Sequence, residues 1–380
     1  MRSEKDGASV TVSTILPVIR PGDRWLAGVL TSAFNSIRGV DNRLTLPRAR
    51  RAIVILVDGL GSENLKAHRA HARTLTGLAH TSVLSNFPST TASSLATLAT
   101  GADPGQTGML GYAIRNPETG LIVNQLSGLD DLDTGAWQPV PTVWESNADV
   151  ASDIVSAERY RTSGLTRAIL RGGNYVSANT YPERLARVEQ FFQANEEGVI
   201  YVYIPELDQA AHSDGVASDR WVGRLEQLDG FVSEVMRILG PHDGLLLTAD
   251  HGVLDVPNSK HRIVPGKSAL LDGVQTGGEP RFLHLYSERD STELAEAWRA
   301  VEGGVAHIAT RAEAITAGWF GEVAPQFLER IGDVLVTPRG VAVYYDERTA
   351  TTQSMAMIGQ HGGLSTTETH VPLVRAGVFA

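Results

Sequence analysis

Short runs of apolar, β-branched residues recur along the chain at wide intervals, and the segments between them carry apolar residues at helical spacing. The clearest runs are 52–57, 199–204, 245–248, 281–286 and 340–345. A run that is apolar at nearly every position reads as a strand buried on both faces, as in a parallel sheet. Between the second and third runs, Trp221, Leu225, Leu228, Val232, Val235 and Leu239 recur in steps of four and three, one face of a helix that Gly240-Pro241 stops. Further helices are expected at 95–100, 183–195, 294–301 and 325–331, the third capped by Asp290. This alternation predicts the α/β class, with a mostly parallel central sheet flanked by helices.

No internal repeat, low-complexity tract or Pro/Ser linker divides the chain. The reading is one dominant domain over 49–380, with 1–48 as an N-terminal extension packed on it. Segments 116–140 and 255–280 are least like core, the first rich in Gly, Asp and Pro, the second carrying Lys260, Arg262 and Lys267. Both are expected as loops or cap elements over a site.

Composition narrows the function. With 42% hydrophobic and 20% charged positions in 380 residues, the chain matches a globular protein. No apolar run reaches the roughly 18 residues of a spanning helix, so no membrane is expected as partner. Asp and Glu outnumber Lys and Arg 43 to 33, and the net charge of −10 repels a nucleic-acid polymer while leaving room for a local site for one phosphate. The absence of cysteine excludes disulfides, thiolate metal sites and a Cys nucleophile, so any metal rests on His, Asp and Glu. The charged start and the short apolar stretch 10–19, broken by Pro17, are unlike a secretory leader, and a cytoplasmic location is the expectation. Oligomeric state leaves no mark in the sequence.

In open α/β sheets ligands bind beyond the carboxyl ends of the strands, so polar residues that follow apolar runs matter most. Asp58-Gly59-Leu60-Gly61 ends the first run, and alone it reads as an Asp-Gly turn. Asp250-His251-Gly252 ends another, offering two adjacent ligands for a divalent cation. Asp208 and His212, four positions apart after Pro205, share one face if that segment is helical; otherwise they are an exposed pair. His361 stands alone between Gln360 and Gly362-Gly363, where a loop histidine is the plain alternative. Together, three Asp and three His suffice for two zinc-like ions of about four ligands each. A hydroxyl nucleophile is supplied by Pro88-Ser89-Thr90-Thr91, just before a helix that ends at Gly101. A threonine there is equally an N-cap, while the free N–H groups of the same helix start favour a phosphate.

In this order, Asp58, the Pro-Ser-Thr-Thr segment, Asp208 with His212, Asp250-His251-Gly252 and His361-Gly-Gly make a set that resembles the alkaline phosphatase superfamily, in particular its nucleotide pyrophosphatase/phosphodiesterase branch. The resemblance runs from about Ile53 to Pro372 and implies a three-layer alkaline-phosphatase-like sandwich with small cap insertions. It implies one metal on Asp58, Thr91, Asp250 and His251, and a second on Asp208, His212 and His361. Zinc suits these donors, and manganese or iron accept much of the same set. Counting back from Thr100-Gly101 places the nucleophile at Thr91, with Thr90 the neighbouring alternative. Where the phosphodiesterases carry a phosphate-binding Asn, this register has Tyr112, whose hydroxyl can donate the same bond. Ala92-Ser-Ser-Leu95 also replaces the family's Phe-Pro-Asn-His, so substrate identity does not carry over.

The expected function is hydrolysis of a small phosphodiester or pyrophosphate through a phosphothreonine, assisted by two divalent metals. A phosphomonoesterase or phosphonate hydrolase would keep the same metals, with Lys260, Arg262 or Lys267 gripping a terminal phosphate. A phosphomutase would transfer the group, and a non-catalytic binding protein would keep only the fold.

Overall fold

Strands apolar on both faces need cover on both faces, and three of them form the centre of the structure. The computed structural model describes residues 16–19, 22 and 25–380; the features read at 1–6 and 10–15 lie outside the described residues. Seven strands make the main sheet: β1 (Arg51–Val57), β2 (Ala79–Leu84), β3 (Ser152–Ser156), β4 (Asn174–Ser177), β5 (Gly198–Ile204), β6 (Asp243–Ala249) and β7 (His370–Gly377). Their order is β2-β7-β6-β1-β5-β3-β4. The five from β6 to β4 run parallel, and β7 is antiparallel to both β6 and β2. In register, Val57 of β1 lies opposite Ile204 of β5 and Ala249 of β6. The residues that follow these strands therefore emerge at one level of the sheet.

Helices α1 (Ala27–Arg38), α2 (Thr91–Thr100), α3 (Glu206–Asp214) and α4 (Asp219–Ile238) share the main core with β1, β5 and β6. Leu30, Ala33, Phe34 and Ile37 of α1 are buried in that core, so this part of the expected N-terminal extension is one of its layers. Helix α4 buries Trp221, Leu225, Leu228, Val232 and Val235, as the periodicity requires, and Leu239 lies just past its end. Each fully buried apolar side chain of this kind contributes about 1.5–3 kcal/mol. Asp290 caps the helix Ser291–Glu302, accepting from the Thr292 and Glu293 amides.

Two of the expected strands do not join the main sheet. Run 281–286 becomes Phe282–Ser287 in a separate antiparallel sheet, ordered Val274–Glu279, Phe282–Ser287, Val334–Pro338, Ala306–Thr310. Phe282 and Leu335 face the main core while Leu283, Leu285, Val334 and Val336 face a second core around Trp298. A sheet wedged between two cores is apolar on both faces and so imitates a parallel strand in sequence. Run 340–345 reduces to Val343–Asp346, paired with His261–Val264 alone. The helix expected at 325–331 is a 3-10 helix, Pro325–Arg330. Segment 116–140 holds half of the hairpin Ala113–Arg115/Ile122–Asn124 and a short helix, Thr134–Trp137. Segment 255–280 is not all loop, because it contributes the edge strand Val274–Glu279. Among the described residues no helix is long and apolar enough to cross a membrane.

Candidate metal and active site

The shared register of β1, β5 and β6 brings the acidic residues together. Asp58 and Asp250 each follow the last residue of neighbouring strands, and Asp208 lies in the first turn of α3, which β5 enters through Pro205. Gly59 takes φ 76°, and a Cβ there would stand 2.9 Å from that of Asp208, so only glycine permits this approach. At the next turn, a Cβ on Gly252 would fall 1.9 Å from the Thr367 carbonyl oxygen.

Two groups of ligand atoms result, Asp58–Asp250–His251 and Asp208–His212–His361, each with its atoms within 4.8 Å of one another. His251 Nε2 is 3.4 Å from both Asp58 Oδ1 and Asp250 Oδ2. Asp208 lies 3.2 Å from His212 Nε2 and 3.9 Å from His361 Nε2. The imidazoles are oriented from behind: His212 Nδ1 donates to the Gly359 carbonyl at 2.8 Å and His361 Nδ1 to that of Ser89 at 3.0 Å. His361 Nε2 is thereby turned inward with its lone pair free, and His212 Nε2 is turned toward Asp208. The His251 and His361 rings stack with centroids 3.6 Å apart, which joins the two groups.

Thr91 is the first residue of α2, and its Oγ1 lies 3.1 Å from His251 Nε2. Thr90 takes the N-cap position without a capping hydrogen bond, and its hydroxyl faces Glu279 instead. Of the two threonines, Thr91 is the one brought to the ligand groups.

Electrostatics mark the place as one that lacks positive charge. Burial, then Asp250 and Asp208, raise the Asp58 carboxyl well above its ordinary value against a hydrogen bond from the Tyr203 hydroxyl. Burial and the Asp208 charge raise Asp250 as well. Burial also works to raise Asp208, but His212, His361 and His251 hold it low. His212 rises to about 9 because Asp208 outweighs its burial, whereas burial lowers His251 to about 4 and His361 to about 3. Asp58 Oδ1, Asp208 Oδ1 and Asp250 Oδ2 are buried without a hydrogen-bond partner. Three inward carboxylate oxygens without partners, together with the neutral imidazoles of His251 and His361, fit divalent cations, one of which would take the place of the His212 proton.

A cavity of about 200 Å³ opens beside Asp58, Thr91 and Asp208, walled by Leu126, Leu165, Ile169, Leu170, Tyr160 and Tyr203. Sequence reasoning missed these walls, although Tyr203, two residues before Pro205, stands at a strand end by the same rule that exposed Asp58. Tyr112 does not line this cavity; it lines a second cleft, with Val274 and Glu279. Arg262 is committed to Glu302, at 2.5 and 2.9 Å, and neither Lys260 nor Lys267 reaches the cavity, whose described lining holds no Lys or Arg.

The chain is similar to phosphopentomutases of Vibrio parahaemolyticus, 31% identical over 112 residues, and Vibrio campbellii, 32% over the same length. These matches cover 29% of this chain, which spans about a quarter of each relative (25%). Among solved structures, murine ectonucleotide pyrophosphatase/phosphodiesterase 5 aligns with TM-score 0.65 at 16% identity, covering 85% of this chain and 87% of the other. An inactive variant of that protein in complex with AMP aligns with TM-score 0.65 at 15% identity, over 85% and 87%. Phosphonoacetate hydrolase from Sinorhizobium meliloti 1021, in complex with phosphonoformate, aligns with TM-score 0.65 at 19% identity, over 87% and 91%. These neighbours share the fold, a mostly parallel sheet flanked by helices. The family model for type I phosphodiesterase/nucleotide pyrophosphatase matches residues 52–364, which span every ligand position described above. The chain therefore belongs to the type I phosphodiesterase/nucleotide pyrophosphatase family, whose members are metal-dependent phosphoester hydrolases.

Proposed function

We propose that the protein hydrolyses phosphodiester or pyrophosphate bonds of nucleotide-like substrates through a covalent phosphothreonine at Thr91. The observation that carries this reading is the placement of Thr91 Oγ1 3.1 Å from His251, beside two acid–histidine groups whose inward carboxylate oxygens have no partners. Asp58, Thr91, Asp250 and His251 would hold one cation, and Asp208, His212 and His361 a second, zinc being the best match to the donors. When bound, such cations neutralise the charge that builds on the attacking and leaving oxygens.

The chain's own residues do the rest. Helix α2 presents the Thr91 hydroxyl and the free N–H groups of its first turn to the phosphate. Thr91 Oγ loses its proton and attacks phosphorus in line; the new Oγ–P bond replaces the bond to one organic group, which leaves and is protonated by water. Water then attacks the phosphothreonine, restores the hydroxyl and releases a phosphomonoester. His251, kept neutral by burial, stands 3.1 Å from the Thr91 hydroxyl and so holds both donors at one cation position. The apolar and tyrosine-lined cavity favours a flat organic group, in keeping with AMP in the murine neighbour. A monoesterase or phosphonate hydrolase needs a cation for the second charge of its substrate, and the described lining supplies none.

The test is metal content together with hydrolysis of bis(p-nitrophenyl) phosphate and p-nitrophenyl phosphate by one preparation. About two metals per chain and faster diester cleavage are expected, with Thr91→Ala retaining metal and losing about 10³-fold or more in kcat. Monoester preference, or near-normal turnover by Thr91→Ala, overturns the reading.

A further inference from the structure

We propose that the cleft between strand Val274–Glu279 and segment 344–354 receives the second organic group of the diester, and that Glu279 selects a hydroxyl on that group. The inference rests on the diester reading above. A diester presents two substituents on phosphorus, and the structure offers two recesses that share no lining residue. The first opens beside Thr91 and Asp58. The second, about 590 Å³, is walled by Tyr112, Val274, Pro280, Leu283, Tyr345 and Ala350.

Glu279 also lines it, and the position of this residue ties the cleft to the reacting centre. A Cβ on Gly362 would stand 2.7 Å from the Glu279 carboxyl carbon, so the carboxyl lies against the backbone next to His361. Its other neighbour is the hydroxyl of Thr90, the residue before Thr91. Glu279 is thus joined to the reacting centre through Thr90, the neighbour of Thr91, and through the Gly362 backbone, the neighbour of His361.

Several other polar groups of the cleft are already committed. Thr276 donates to Asp346 at 2.7 Å, Asp346 pairs with Arg348 at 2.7 Å, Tyr344 donates to Glu302 at 2.8 Å and Tyr345 to the Ser354 carbonyl at 3.0 Å. Glu279 Oε1, on a residue only 7% exposed, has no hydrogen-bond partner. A buried carboxyl left unsatisfied is costly, and a ligand group that completes it recovers that cost. Burial pushes the carboxyl up to about 8, with Thr90 opposing and Glu368 reinforcing. A neutral carboxyl donates and accepts, which matches a hydroxyl, itself both donor and acceptor. The tyrosine rings and the Gly277-Gly278 backbone along the wall suit the C–H face of a polyol or sugar.

The experiment compares the metal-loaded full chain on p-nitrophenyl 3-hydroxypropyl phosphate, its butyl counterpart and its 3-aminopropyl counterpart. The hydroxypropyl ester is expected to exceed the butyl ester by about 10- to 100-fold in kcat/KM, chiefly through KM. Glu279→Leu should bring that ratio close to one, while Glu279→Gln, which keeps a donor and an acceptor, preserves it. A ratio near one in the wild-type protein, or preference for the aminopropyl ester, overturns the assignment. If all three diesters are cleaved equally, the diester reading survives and this inference fails; if only p-nitrophenyl phosphate is cleaved, both fall.

Discussion

Replacing Arg281 by Met probes what holds the two halves of the site at their spacing. Arg281 and Glu368 have side chains 0% exposed. Arg281 Nε and Nη2 meet the two Glu368 carboxylate oxygens at 2.9 and 2.6 Å, and Nη1 donates to the Gly340 and Ala342 carbonyls at 2.7 and 2.6 Å. The same carboxylate accepts from the Gly363 amide at 2.8 Å, two residues past His361, and from the Ser365 hydroxyl at 2.6 Å. The Glu368 carbonyl accepts from the Gly252 amide at 2.9 Å, next to His251. One residue thus ties together the loops that carry a histidine of each group. Met fills much of the vacated volume, so the main loss is an uncompensated buried carboxylate, about 3–5 kcal/mol at neutral pH. The pH dependence fixes the cause. In the wild type, burial would raise Glu368, but Arg281 holds it below the ordinary value of 4.5. A depressed folded pKa contributes stability that is present above the unfolded value and lost as pH falls through the folded one. In Arg281→Met only the Gly363 and Ser365 hydrogen bonds oppose burial, the folded pKa rises from its wild-type position, and protonation relieves the strain as pH falls. The gap between variant and wild type should therefore narrow from pH 7 to pH 5. Urea midpoints by tryptophan fluorescence at both pH values measure it, and zinc titration of the folded variant should show both metal groups weakened together. A loss below about 1 kcal/mol, or an equal loss at both pH values, refutes the reasoning.

Gly252→Ala forces a methyl to within 1.9 Å of the Thr367 carbonyl oxygen and should cost at least about 2 kcal/mol while displacing His251; an unchanged melting midpoint with full metal content contradicts this. Tyr203→Phe removes the hydroxyl that donates to Asp58 and should weaken zinc binding about 10-fold, read by calorimetric titration, without changing the fold. Chelation should lower the melting midpoint, and added zinc should restore it, because cations bound only by the folded chain add stability by mass action. A midpoint indifferent to chelator would remove the case that these groups hold metal.

The strand ends were legible because an apolar run that stops at a carboxylate is a local pattern. Asp58 and Asp250 follow such runs, and Asp208 with His212 needed only a helical step of four. The edge of the sheet was not legible. β2 exposes four of its six residues and so lacks an apolar run, and β7 begins at His370 and contains Pro372 and Arg375. The second sheet was assigned to the first because burial on both faces erases the alternation that would have set it apart. Glu279, Arg281 and Glu368 passed unnoticed for a different reason. Charged residues default to the surface, and a pair 87 positions apart leaves no local trace.

Buried charge in this fold divides by whether it has a partner within the chain, and β1 and β6 show both kinds. At their amino ends Arg51 and Asp243 form two bonds of 2.9 Å, opposite charges satisfied within the chain. At their carboxyl ends Asp58 and Asp250 bring like charges together, and each keeps an oxygen without a partner. The strands and their register are common to both ends, so the difference lies in side-chain chemistry alone. Like charges in a low-dielectric place repel, and the apolar core of the sheet holds them there until a cation offsets the repulsion. Arg281 and Glu368 follow the first pattern and fix the loops. Asp208 follows the second, and Glu279, a neutral carboxyl, likewise keeps an unpartnered oxygen. On the proposed function, the paired charges at this end of the sheet hold the geometry, and the unpartnered carboxyls face what the protein binds.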